Sequence, residues 1–290
     1  MSVRSATRLR RLRTPRAARR HPRASLIVGV SIILGVLLLG VLRPLMGLPA
    51  PDTQNLADVL ASPSWAHPFG TDNLGRDVLS RTLAAAHLDL AVAIALTLMS
   101  LASGVLLGAL AGFGGRRTEA VIMRLADAML AFPFMILVIA VVAVFGPGLK
   151  GVFVGVPLAG WAIYARVTRS EMLVVREKDY MLAARTLGYS RSRMLLRHAL
   201  PNVWRPALVL STADVVLNLV LLASLSYLGL GVQPPTPEWG GIIADGQQYL
   251  LQAWWISTLP GLVVVLVGAG FSLIGDGLAD LLGQEVRLTA

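Results

Sequence analysis

Two residues stand out for chemistry in a chain that offers little of it. Asp214 and Asn218 lie four apart in an otherwise apolar run, so a helix there carries both on one face. A carboxylate inside a membrane is costly and faces a cavity or a partner. The pair has two readings: a polar lining of a passage, or a buried hydrogen bond. The other reactive residue types argue against catalysis. There is no cysteine, which excludes disulfides, thiolate metal sites and a cysteine nucleophile. His21, His67, His87 and His198 are scattered, with no second ligand at metal spacing. The two lysines, Lys150 and Lys178, lie outside any G-x-x-x-x-G-K-[ST] frame, so the chain lacks a P-loop for ATP. A membrane hydrolase would need clustered His, Asp or Glu, and no such cluster is evident.

A second constellation is cationic. The segment YMLAARTLGYSRSRMLLRHALPN, Tyr180 to Asn202, carries Arg185, Arg191, Arg193 and Arg197. Its first part is rich in helix formers, and Gly188 can end that helix in the left-handed conformation. Ser190 can cap a second helix, which Pro201 is expected to stop. Met181, Leu182, Met194 and Leu195 would stand out as apolar knobs. The arginines alone fit a basic loop beside a membrane. The caps, the hinge and the apolar face fit docking into a groove on another protein.

These residues must be positioned by membrane helices. The chain of 290 residues is 55% hydrophobic and only 14% charged. Apolar runs cover Leu26–Leu42, Leu88–Phe113, Ala131–Phe145, Leu149–Ala165, Pro206–Leu230 and Ile256–Leu282. Runs of this kind predict an all-α membrane protein with six transmembrane helices. The first run is longer than the apolar core of a secretory signal peptide and is followed by further spans. With the N-terminus in the cytoplasm, the inner segments hold 22 of the 26 Lys and Arg residues. That asymmetry predicts both termini inside. The net charge of +10 thus reflects topology, and nucleic acid is not an expected partner.

The expected organisation is a basic cytoplasmic tail over 1–23, a first transmembrane helix over 24–43 and an extracytoplasmic loop over 44–86. A core of five transmembrane helices follows over 87–290. Gly104, Gly108 and Gly112 form a small-residue ridge for close helix packing. Beyond the fifth run, Ile243, Leu250, Leu251, Trp254 and Trp255 recur at helical spacing, predicting an amphipathic helix on the outer face. Asp72 and Trp239, in the two outer segments, are candidate contacts for an external protein. Packing of these segments on each other is the competing reading.

Four stretches resemble a known family. AARTLGYSRSRMLLRHALPN resembles the cytoplasmic EAA loop of ABC importer permeases, with spacing E-A-A-x3-G-x9-I-x-L-P. Ala183, Ala184, Gly188, Leu200 and Pro201 fall on family positions; Leu182 holds the glutamate position and His198 the isoleucine position. HPFGTDNLGRDVLSR (His67–Arg81) and ASLSYLGLGVQPPTPEWG (Ala223–Gly240) are similar to blocks of the C-type permease subunits of dipeptide/oligopeptide importers. GDGLADLLG (Gly275–Gly283) resembles their ending without its usual Asp-Pro. The likeness runs from about Leu26 to Leu282.

The resemblance implies a type I permease fold in a bacterial inner (plasma) membrane, with 180–202 as a coupling helix pair. It implies partners: a second homologous permease, two ABC ATPase subunits that bind ATP and magnesium, and an extracytoplasmic solute-binding protein delivering peptide. This chain itself would carry no cofactor. Nickel or haem is the alternative cargo, and an ATP-independent secondary transporter is the alternative mechanism.

Overall fold

The computed structural model describes residues 22–288. The basic tail lies outside the described residues, apart from its last two. Among the described residues, five helices are long and apolar enough to cross a membrane, and a sixth candidate is a bent pair. The first is α1 (Pro22–Leu42). A long loop with two short 3-10 turns leads to α2 (Val78–Phe113). At 36 residues α2 is about 54 Å long, against a hydrocarbon core of about 30 Å. Its first turns, within the stretch read as outer loop, therefore stand outside the slab.

The third expected span is not one straight helix. It is α3 (Arg116–Ala131) and α4 (Phe134–Phe145), bent by 93°. Pro133 lacks an amide hydrogen and pushes Phe132 into extended backbone, at ψ 143°. The twelve residues of α4 reach only about 18 Å, too short to cross alone. The apolar run Ala131–Phe145 predicts a span that starts only at Ala131. Arg116, Arg117, Glu119, Arg124 and Asp127 keep α3 too polar overall to register as part of a span, although its apolar residues gather on one face.

α5 (Leu149–Val175) continues ten residues past its expected end. It lies along α2, and the glycine ridge makes that contact. A Cβ on Gly104 would sit 2.4 Å from Tyr164 Cβ, on Gly108 2.5 Å from the Ala165 oxygen, and on Gly112 2.6 Å from Met172 Cβ. Only glycine allows so close a backbone approach. Behind this contact, Leu96, Val138, Val142, Val156, Leu222 and Leu225 fill the space between α2, α4, α5 and the later helix Leu200–Tyr227.

After α6 (Asp179–Thr186) come α7 (Arg191–Arg193), a π-helical turn (Met194–Ala199) and α8 (Leu200–Tyr227). These run on as one helix of 37 residues. Pro201 does not stop the helix, contrary to expectation. The Leu200 N–H bonds back five residues to the Leu195 oxygen, and Pro201 stands in the first turn of α8, where no amide donor is needed.

The outer amphipathic helix is also shorter than expected. α9 (Trp239–Gln247) ends before Leu250, and Trp255 begins α10 (Trp255–Leu288). α9 turns Trp239, Ile242 and Gly246 inward. Leu251 and Trp254, read as part of its apolar face, lie exposed in the following turn. α10 closes the bundle against α1, where Gly29 and the Gly270 carbonyl leave no room for a side chain.

Candidate functional site

The segment Tyr180–Asn202 folds as a capped turn. α6 ends at Thr186, and Gly188 follows at φ +76°. The Gly188 N–H donates to the Arg185 oxygen (3.1 Å) and the Tyr189 N–H to the Ala184 oxygen (3.2 Å). This pairing is a Schellman closure, which requires the left-handed residue the sequence supplied. The Ser190 hydroxyl then accepts from the Arg193 N–H at 3.4 Å, capping the next helix.

Packing holds both pieces to the bundle. Met181, Ala184, Met194 and Ala199 are buried against Ala109, Met172 and Val203. Met181 and Met194, expected as exposed knobs, are therefore core residues. Leu195 is half-buried beside them. The side chains left outside are Leu182 (45% exposed), Leu187 (71%) and Leu196 (59%), among Arg185, Arg191, Arg193 and Arg197. Ala183 and Pro201 are exposed with them, and Leu200 is half-buried. An open cleft of about 530 Å³ runs between Phe113, Leu182, Arg185 and Tyr189.

His198 fits its unusual position by stacking. Its ring lies 5.6 Å from that of Tyr189, and the Arg193 guanidinium sits 4.4 Å over the same tyrosine. Asn202 ties the two halves, donating to the His198 oxygen (2.7 Å) and to the Tyr180 hydroxyl (3.4 Å). Burial raises the Tyr180 hydroxyl, and the Asn202 donor offsets part of that shift.

The Asp214 and Asn218 pair is brought together as expected, and two tertiary partners join it. Tyr164 on α5 donates its hydroxyl to Asp214 Oδ2 at 2.8 Å. Asn218 donates to Thr97 on α2 at 2.8 Å and to the same aspartate oxygen at 3.4 Å. The network clamps α2, α5 and α8 in the interior of the bundle. Asn218 is buried, while Asp214 stays half-buried at the edge of the exposed face of α8. Tyr164 and Thr97 carry no local signal that marks them; only helix packing pairs them with the aspartate.

At the opposite end of the bundle from Tyr180–Asn202, the blocks His67–Arg81 and Ala223–Gly240 pack into one frame. Asp77 caps α2, accepting from the Ser80 N–H (2.6 Å), and contacts His67 Nδ1 at 2.8 Å. Asp72 is only 2% exposed. It accepts from the backbone of Leu74 and Arg76 and from Arg76 Nε, while Arg81 Nε lies 3.8 Å away. Trp239 is equally buried. Its indole N–H donates to the Thr82 oxygen (2.9 Å) and its backbone N–H to Asp89 (2.9 Å). Neither Asp72 nor Trp239 is on the surface of this chain. Trp65 and Leu251 are fully exposed on this side.

Glu238 caps α9 beside that tryptophan, accepting from Gly240 (2.9 Å) and Gly241 (2.7 Å). Burial pushes its carboxyl above the ordinary glutamate range. The two backbone donors and Ser226 pull it part of the way back.

Comparison with known proteins follows the same outline. The chain is 37% identical over 268 residues to the di/tripeptide transport system permease protein DppC of Pseudomonas aeruginosa, covering 90% of this chain and 88% of that one. It is 36% identical to the probable D,D-dipeptide transport system permease protein DdpC of Escherichia coli, covering 89% and 87% of the two chains. To the oligopeptide transport system permease protein OppC of Bacillus subtilis it is 35% identical, covering 90% and 86%. A family described as the binding-protein-dependent transport system inner membrane component matches residues 104–288, from the glycine ridge through α10. The chain belongs to this family, as a membrane permease of an ABC importer.

Proposed function

We propose that this chain forms half of the translocation pathway of an ATP-driven importer of dipeptides or oligopeptides, and that Tyr180–Asn202 couples it to partner ATPases. The observation that carries the reading is the continuous helix. The capped turn is packed into the bundle on one side, presents Leu182, Leu187 and Leu196 on the other, and continues into α8. A load applied at the turn is therefore delivered to a membrane-crossing helix.

In this reading the basic face that carries α6 lies in the cytoplasm, with both termini. ATP and magnesium are held by two ATPase subunits, which dock on the exposed leucines and the arginines around them. Leu182 replaces an acidic contact with an apolar one. Ala184, Gly188 and Leu200 set the shape of the turn, and Ala183 and Pro201 lie on its surface. A second homologous permease completes the passage. We assign the passage to the exposed face of α8, with Asp214 at its edge and Asn218 fixing Asp214 from behind. The outer frame built on Asp72 and Trp239 meets the solute-binding protein, with Trp65 and Leu251 as its outermost points. Closure of the ATPases would tilt α8 and open the passage outward, an alternating-access motion. The names of the relatives support peptides over nickel or haem as cargo.

The absence of native cysteine makes the test direct. Leu187→Cys should crosslink to an ATPase subunit in the assembled transporter, and peptide uptake into vesicles should require ATP and the binding protein. Uptake driven by a proton gradient through this chain alone would overturn the proposal.

A further inference from the structure

The break at Pro133 leaves α3 in a defined place relative to the bilayer. α4 runs alongside α5, with Gly151 against Val142 and Gly155 against Val138. α3 crosses α5 instead. Glu119 and Asp127, about 12 Å apart along α3, pair with Arg169 and Arg166, only about 4.5 Å apart along α5. α5 begins at Leu149, and about 20 residues fill the hydrocarbon core. Residues 166–169 therefore reach the membrane boundary on the face that carries α6, and the charged half of α3 lies across α5 at that level.

The surface of α3 divides accordingly. Ile122 and Ala126 are buried toward the bundle. Val121 (60% exposed) and Leu125 (54%), one turn apart, form an apolar stripe turned outward, and Phe132 (58%) is exposed just past the end of α3. Arg117 and Arg124 flank the stripe, exposed. Next to them a cleft of about 620 Å³ opens between α3 and α5, lined by Arg116, Arg124, Arg166 and Arg169 with Glu119 and Asp127. The carboxylates are taken by Arg166 and Arg169. Arg116, Arg117 and Arg124 have no carboxylate partner among the described residues. A protein approaching from water would reach the arginines but not the stripe, which leads into the hydrocarbon layer toward α4. A phosphate with acyl chains attached satisfies both.

We propose that α3 and the α3–α5 cleft form a binding site for an anionic phospholipid. Its phosphate sits at Arg116 and Arg124, and its acyl chains lie along Val121, Leu125 and Phe132. The site is separate from the turn at Tyr180–Asn202 and from the passage assigned to α8.

Native mass spectrometry of the assembled transporter, titrated with phosphatidylglycerol or phosphatidylcholine, tests this. The native complex should prefer phosphatidylglycerol, and excess inorganic phosphate should not displace it. At about 1 kcal/mol per arginine near a membrane surface, R116Q/R124Q should weaken phosphatidylglycerol about thirtyfold and leave phosphatidylcholine unchanged. R116K/R124K should keep the preference. Should the glutamine variant fail to assemble, the native complex gives the same answer, because its preference must fall as salt rises. Equal binding of the two lipids, an unchanged R116Q/R124Q complex, a salt-insensitive preference, or displacement by free phosphate would each overturn the site.

Discussion

Gly188 offers the sharpest test of the coupling role proposed for Tyr180–Asn202. It sits at φ +76°, and a Cβ placed there would meet nothing within 4 Å. Substitution therefore carries no clash, only the backbone cost of the left-handed region. For an L residue that cost is about 1–2 kcal/mol, and a β-branched side chain is at the upper end. If the turn must hold this geometry to transmit force, Gly188→Val lowers the population of the competent turn about five- to thirtyfold. Gly188→Asn, which tolerates the same region, should stay within about threefold of wild type. The measurement is peptide transported per ATP hydrolysed by the reconstituted complex, with assembly checked by co-purification. Gly188→Val should assemble and hydrolyse ATP while transport falls. Equal transport by Gly188→Val and wild type, or equal loss in both variants, would refute the reasoning, because neither follows from a left-handed requirement.

Three further outcomes follow from the packing and capping. Gly108→Leu forces a side chain against the Ala165 carbonyl and should cost about 1–3 kcal/mol, read as a lower melting temperature of the purified complex. Asp89→Ala leaves the buried Trp239 N–H without its acceptor, at about 1–3 kcal/mol, whereas Asp89→Asn keeps an acceptor oxygen and should lose less. Glu238 titrates above its ordinary value of 4.5 in the folded chain, so its protonated form favours the fold. That contribution is complete below 4.5 and is lost as pH rises through the raised value. A melting series across pH should therefore show Glu238→Gln gaining on wild type as pH rises, and parallel curves would contradict the assignment.

Local signals in the sequence carried the backbone of the capped turn at Gly188 and Ser190 well. Gly188 and Ser190 act through their own backbone and immediate neighbours, so their roles were legible without tertiary structure. Pro201 was misread because its usual effect depends on the turn before it, and a π-helical turn removes the conflict. The third span was misread for a related reason. Hydropathy marked Ala131–Phe145 as apolar, but Pro133 divides that run, and α3 is held by ion pairs to α5 that no local window contains. Asp72 and Trp239 looked like surface contacts because they sit in polar outer segments. Their burial follows from Arg76, Arg81 and Thr82 folding over them, which is a property of the assembled frame. Asp214 was read as either lining or buried, and the Tyr164 bond supplies the buried half of that answer.

The run from Arg191 to Tyr227 also sets a mechanical ratio. Thirty-seven helical residues make a rod of about 55 Å. Pivoted at the packed π-helical turn, the 28 residues of α8 make an arm of about 42 Å, so its far end travels about 0.7 Å for each degree of tilt at the base. Tyr227, at that end, donates its hydroxyl to Gln247 of α9 at 2.5 Å. A tilt of about 2° already stretches that bond beyond hydrogen-bonding distance. The outer frame must then either release the rod or travel with it, so a swing too small to disturb the base is amplified into a detachment on the opposite side of the membrane. Loss of the Tyr227–Gln247 contact would thus gauge the tilt proposed for α8.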